Sequence, residues 1–255
     1  MEKVRLGGMA LANGVLVHGP SAWGCAVRLA DGTLRIASGR KRRFAPGVQT
    51  PFVRGPLRLA EAFALLPELK RRLPEARFAF ERPAVLAAVG AGSTVAAVAR
   101  RSSLSTGLRE AIVAYASLAP AALALRGGEL AAYHGAEHVS IGSYEQDGAP
   151  AAKEHERCGS HLVGPLLVTS AAANTLAAKA PPHARPVVRL VGALGAVGAS
   201  VEIFAWMSRN PGHPIARALA RPGHELQRRL STEEPSHEQL EVARAALAEI
   251  GRAHV

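Results

Sequence analysis

The sequence predicts a mainly α-helical chain, a helical bundle with a small N-terminal β region. Three observations carry this. Near the start, strand-like runs flank an Asp31-Gly32 turn. Long charge-free, alanine-rich runs then fill the middle. The last segment places a helix-start signal ahead of an apolar stripe. The organisation expected is a β-rich region over residues 1–50, a helical bundle over 51–210, and a C-terminal segment over 211–255 ending in an amphipathic helix.

The elements follow in order. Trp23 to Leu29 and Thr33 to Ala37 flank Ala30-Asp31-Gly32, a good hairpin turn because glycine accepts positive φ. Arg40-Lys41-Arg42-Arg43 ends that pattern as a solvated basic run, and Pro46 and Pro51 mark a linker. Residues 54–72 predict one amphipathic helix, with Leu57, Ala60, Phe63, Ala64 and Leu65 near one face. Four charge-free runs follow: 17 residues from Pro83, 15 from Ala111, 17 from Leu162 and 12 from Leu190. These lengths straddle the threshold for crossing a bilayer, but alanine and glycine dominate them. Composition alone fits a membrane bundle and a buried soluble core equally. Ser236 and Gln239 form a capping box, and Leu240, Ala243, Leu247 and Ile250 repeat behind it as one stripe.

The formal charge is +11, from 26 Arg and 5 Lys against 20 acidic residues. Aromatic residues make up only 4%, too few for the interleaving a nucleic-acid surface uses, so no nucleic-acid partner is expected. An anionic membrane surface accounts for the same charge. Cys25 and Cys158 make no disulfide framework, and the first residues lack a secretory signal, so a reducing cytoplasmic setting is expected.

The richest stretch is 133–161. His134 and His138 stand at i and i+4, on one helix face, with Glu137 beside them. Chance placement would give such an H-x-x-E-H about 0.03 times in a chain of this length, which argues for a built site. Neutral imidazoles hold a borderline-soft divalent cation such as zinc, and the carboxylate can take a proton from water on the metal. His155 and Cys158 supply further ligand types, while His161 fits a helix start. If His134, His138, His155 and Cys158 fill four positions, the metal is structural; an open position makes it catalytic. The alternatives are a helix with surface His and Glu, or a Cys158 nucleophile activated by His155. Glu202 sits inside an apolar run, where a carboxylate needs a partner: Arg189, the metal site or a base on another helix. It joins Glu137 as a candidate catalytic residue. Tyr144 and Glu145 close the first half of the site loop as supporting groups.

With these residues in hand, the chain resembles the YqhQ-like bacterial proteins, a domain of unknown function described as predicted metal-dependent membrane enzymes. Leu6-Gly7-Gly8 through Gly14-Val15 to Gly19-Pro20 resembles their glycine motif, and Arg54-Gly55 with Glu61 their arginine–glycine helix. YHGAEH at 133–138 with Tyr144-Glu145, then His155, Arg157, Cys158 and Gly159, resemble the signature. Glu202 falls where the family has a glutamate in an apolar helix. Leu226-Gln227, Glu234-Pro235 and 238–243 resemble the C-terminal motif. Val139 replaces the usual Lys, Asn13 a Glu and His18 an Arg. The resemblance implies several membrane spans and a metal, but no substrate. With it, the four apolar runs become crossings, of which the 12-residue run ending near Glu202 is the weakest. Both termini and the loop carrying the ligands then lie on the cytoplasmic side by the positive-inside rule. The function expected is a membrane-embedded, metal-dependent hydrolase. Its rivals are a membrane protein stapled by structural zinc and a peripheral adaptor with a basic face.

Overall fold

The computed structural model describes residues 3–44, 46–126 and 128–253. Four antiparallel strands open it in sequential order: β1 (Gly7–Leu11), β2 (Gly14–His18), β3 (Ala22–Arg28) and β4 (Leu34–Arg40). The expected turn joins β3 to β4. Gly32 takes φ of 85°, and the Asp31 carboxylate accepts the Thr33 N–H at 3.0 Å. Strands β2 and β3 are buried on both faces, and their two-residue period feeds two cores. Leu16, Trp23, Cys25 and Val27 point to one, closed by Leu65, Leu69 and Phe78. Val15, Val17 and Ala26 point to the other, closed by Tyr133, Ala136, Val242, Ala246 and Ile250.

Helix α2 (Leu66–Arg72), with Leu65 ahead of it, covers the first face, and α1 (Arg54–Phe63) precedes it. The single helix expected over 54–72 is therefore two. Pro67 lies at the start of α2, has no N–H to give Phe63, and crowds that carbonyl. The buried positions also differ from the expected face. They are Gly55, Glu61, Leu65 and Leu69, whereas Phe63 is exposed. The remaining helices are α3 (Pro83–Arg101), α4 (Thr106–Leu125), α5 (Gly128–Glu145), α6 (Val163–Ala178), α7 (Arg185–Arg209), α8 (Pro214–Leu226) and α9 (His237–Ala253). The capping box stands at the start of α9: Gln239 N–H donates to Ser236 Oγ at 3.3 Å, and Ser236 N–H to Gln239 Oε1 at 2.8 Å. Val242, Ala243, Ala246 and Ile250 of α9 face the sheet, and Gly24 of β3 leaves no room for a Cβ, which would lie 2.5 Å from the Ala246 carbonyl.

Helices α3 and α4 pack together, as do α6 and α7. Four segments are long and apolar enough to cross a membrane: 83–101, 107–125, 159–178 and 185–209. Between 6% and 22% of each apolar stretch is buried within the chain. Leu86, Val98, Leu176, Val187 and Leu194 all face outward. A soluble helix buries its apolar face, whereas these helices leave theirs outward, as helices that cross a membrane do. The short run at 190–201, expected to be the weakest crossing, lies inside the 25-residue α7, whose mean hydropathy of 1.7 is the highest of the four. Ile203 to Met207 extend the apolar stretch beyond Glu202.

Glu202 is held by α1 and not by Arg189. Its carboxylate accepts from Arg54 Nε at 2.9 Å and Nη2 at 2.5 Å, and from the Phe52 N–H at 3.2 Å. Gly55 allows the approach, since a Cβ there would lie 2.4 Å from Val201. Arg54, Gly55 and Glu202 are one contact, clamping α1 across α7. A two-pronged charged pair of this kind, partly screened, contributes about 1–2 kcal/mol. Glu202→Gln is expected to lower stability in detergent by about that amount and to speed proteolysis between residues 44 and 54. Unchanged cleavage would show that the clamp does not hold α1.

His18 gives a pH dependence. Burial, with Lys41 beside it, lowers its pKa to about 4. Between pH 6.5 and 4 the unfolded chain binds a proton that the folded chain refuses. Stability present above pH 6.5 is therefore lost as pH falls through that window, by at most about 3 kcal/mol. His18→Gln should flatten this acid limb in thermal melts of the purified protein, and an unaltered limb would assign it to other groups.

Candidate metal centre

Helix α5 is buried almost all round: eleven of its residues from Leu130 to Ile141, polar ones included, are shielded from solvent. It runs beside β1, β2 and α9, and the chain after α8 crosses it. That crossing is tight. A Cβ at Gly135 would lie 2.1 Å from the Glu233 carbonyl, and Glu233 N–H donates to the Ala131 carbonyl at 3.0 Å. The crossing segment is launched by a π-helical turn over Gln227–Ser231, closed by Thr232 N–H to the Gln227 carbonyl at 3.1 Å. Such turns concentrate at functional sites.

The π turn presents the Ser231 carbonyl to His134, whose Nδ1–H donates to it at 2.7 Å. His138 Nδ1–H donates to the Lys153 carbonyl at 2.6 Å. A backbone carbonyl can only accept, so both rings carry their proton on Nδ1, and both Nε2 atoms offer lone pairs. Cys158 Sγ lies 3.5 Å from His134 Nε2. The donor atoms of His134, His138 and Cys158 all lie within 4.8 Å of one another. The Nε2 atoms of both rings and the Cys158 sulfur thus face one point. This donor set fits a soft or borderline divalent cation, and the carbonyl partners are those that orient metal-bound histidines. Burial lowers the His138 pKa to about 3, keeping it neutral, and burial raises that of the Cys158 thiol. A cation would reverse the second effect and take the thiolate.

His155 stands outside the three-donor group. Its Nε2 is 3.2 Å from Glu145 Oε2, its Nδ1 accepts the Arg157 N–H, and its ring centroid is 5.6 Å from that of His138. Glu145 also pairs with Arg157. Tyr144 supplies a carbonyl to Lys3 Nζ at 2.5 Å. Glu202 belongs to the α1 clamp. Asn13 joins the β1–β2 turn to the chain at 75–77, receiving the Arg77 N–H at 3.0 Å and donating to the Glu75 carbonyl at 3.1 Å.

Glu137 is buried against β1. Burial pushes its pKa up to about 8, with Cys158 adding to the rise and His134 opposing it. Its carboxylate occupies the space over Gly8, where a Cβ would sit 2.3 Å from Oε1. Gly8, Gly135, Gln227 and the two carbonyls carry the site without being expected ligands. Gly8, Gly135 and Gln227 fall in motifs of the family resemblance, and the carbonyls have no sequence signal.

The second half of the chain has a counterpart among known families. Residues 128–253 carry a domain whose family is described as a protein of unknown function, DUF1385. The domain begins with α5 and ends with α9, so it holds His134, Glu137, His138, Cys158 and both orienting carbonyls. No curated protein and no solved structure matches the chain.

The packing over Gly8 has a measurable consequence. Gly8→Ala should destabilise the protein by about 1–3 kcal/mol, the usual range for overpacking. Glu137→Ala should restore part of that loss by removing the opposing atoms. Additive effects in the double-mutant cycle would show that the two residues do not share this space.

Proposed function

We propose that this is a multi-pass protein of the cytoplasmic membrane, YqhQ-like in character, whose inner face carries a divalent metal, zinc by its ligand types, for hydrolysis. His134, His138 and Cys158 would hold the ion. The observation that carries the reading is the matched pair of Nδ1-to-carbonyl hydrogen bonds, which turn two neutral imidazoles toward one thiol. Three protein donors suit a catalytic site, because a structural zinc site closes all four positions. His155, which the closed alternative needs, is engaged with Glu145.

A bound divalent cation supplies Lewis acidity to a substrate oxygen and to water. Glu137 supplies the proton transfer. Its raised pKa lets it carry a proton near neutrality, and its buried seat against Gly8 limits exchange with bulk solvent. Glu145 and Arg157 hold His155 as a fixed polar wall. The membrane reading rests on the four apolar helices and their outward-facing side chains. Basic residues at 40–43 and from 209 to 229 support keeping both ends inside.

Elemental analysis of purified protein should find one zinc-like ion per chain. It should be lost in His138→Asn, reduced in Cys158→Ser and retained in Glu137→Gln and His155→Ala. With cobalt substituted, visible absorption should shift when azide is added, since azide can enter an open position. A cobalt spectrum insensitive to azide, with metal lost in His155→Ala, would instead establish a closed structural site. Loss of metal in none of these variants would remove the centre altogether.

A further inference from the structure

A cavity of about 740 Å³ lies between the end of α7 and helix α8. That volume is in the range of sites for small ligands. One wall is apolar, with Phe204 and Met207 from α7. The other is basic, with Arg217, Arg221 and His224 of α8 at i, i+4 and i+7 along one helix face. Among the described residues, neither the Arg217 nor the Arg221 side chain has a carboxylate or hydrogen-bonding partner. Glu156 is the one carboxylate in the lining, so the walls keep a net positive charge.

The floor holds a donor without an acceptor. Gln227 is fully buried, and its amide oxygen accepts the His155 N–H at 2.8 Å. Its NH₂ end therefore meets Ser160 Oγ at 2.7 Å, the His155 carbonyl at 3.2 Å and His161 Nδ1 at 3.4 Å. An amide nitrogen only donates, so its contact favours the His161 tautomer that accepts at Nδ1 and carries its proton on Nε2. His161 lines the cavity with only 2% of its surface exposed, and its Nε2 has no hydrogen-bond partner in the protein. A buried unsatisfied N–H is costly, and such groups call for an explanation. The ring is set edge-on to His224, with centroids 4.4 Å apart. Close packing fixes it there, since a Cβ on Gly223 would lie 2.8 Å from His161 Cα.

We infer that this cavity binds the phosphate head of an anionic membrane lipid. Arg217 and Arg221 match the charge, the His161 Nε2–H supplies a buried donor, and Phe204 and Met207 adjoin the first carbons of the chains. The location supports a lipid over a free anion. The apolar wall belongs to α7, one of the four membrane-length helices, at the end that also adjoins α8. The inference is independent of whether the metal centre is catalytic.

The test uses the full chain in detergent micelles, with native mass spectrometry as readout. The probes are dihexanoyl phosphatidate, dihexanoyl phosphatidylcholine and inorganic phosphate. One phosphatidate should bind at least about tenfold more tightly than either alternative. The Arg217→Gln/Arg221→Gln variant should lose at least about tenfold in phosphatidate affinity. Both arginines are exposed, so the variant should fold and keep its metal content, which separates this result from any failure of the metal reading. Inorganic phosphate bound as tightly as phosphatidate would make this a free-anion site and overturn the lipid. Equal binding of the zwitterionic lipid, or unchanged affinity in the double variant, would overturn the head-group assignment.

Discussion

The site depends on two backbone carbonyls. Left to itself, a histidine side chain samples two tautomers and several ring orientations. Ser231 and Lys153 remove that freedom at His134 and His138, and leave the same nitrogen of each ring facing Cys158. Much of the surrounding structure serves to place those carbonyls. The π turn after α8 delivers one, Gly135 lets the chain cross close above α5, and Gly8 makes room for the carboxylate of Glu137. Burying so polar a helix face is expensive unless each group has a defined partner. That is why α5 is enclosed on every side by ordered elements and is not left on the surface.

The molecule divides into two kinds of surface. The sheet, α5 and α9 bury their apolar side chains against one another in the ordinary way. The α3–α4 and α6–α7 pairs leave theirs facing outward. Helix α1 joins the two parts. It closes the sheet's first core through the chain that follows it, and it is clamped to α7 by Arg54 and Glu202. The carboxylate that looked anomalous inside an apolar run is thus the anchor between a membrane-like pair of helices and the folded head.

Much of this was legible from residue patterns. Local signals sufficed for the Asp31-Gly32 turn, the capping box at Ser236, the four apolar helices and the i, i+4 histidines. The 54–72 region shows where periodicity failed. One apolar face was traced through Pro67, whose missing N–H splits the helix and shifts the burial phase. Long-range geometry was beyond reach. Spacing made His155 as good a ligand as Cys158, and the fold separates them by bringing the sulfur to the histidine pair and turning His155 to Glu145. The partner of Glu202 lies 148 residues away, so nothing near it in sequence pointed to Arg54. The orienting carbonyls leave no side-chain trace at all.

The bond from His134 to Ser231 spans 97 residues. Between its ends lie α6, α7 and α8, two of them long enough to cross a membrane. During synthesis, His134, His138 and Cys158 leave the ribosome well before the carbonyl that fixes the first of them. Until the chain after α8 has returned across α5, His134 is free to turn either nitrogen outward. The three donors therefore take their final arrangement only after that return. A chain that failed to make this return would carry all three donor residues and still lack the arrangement that brings them together.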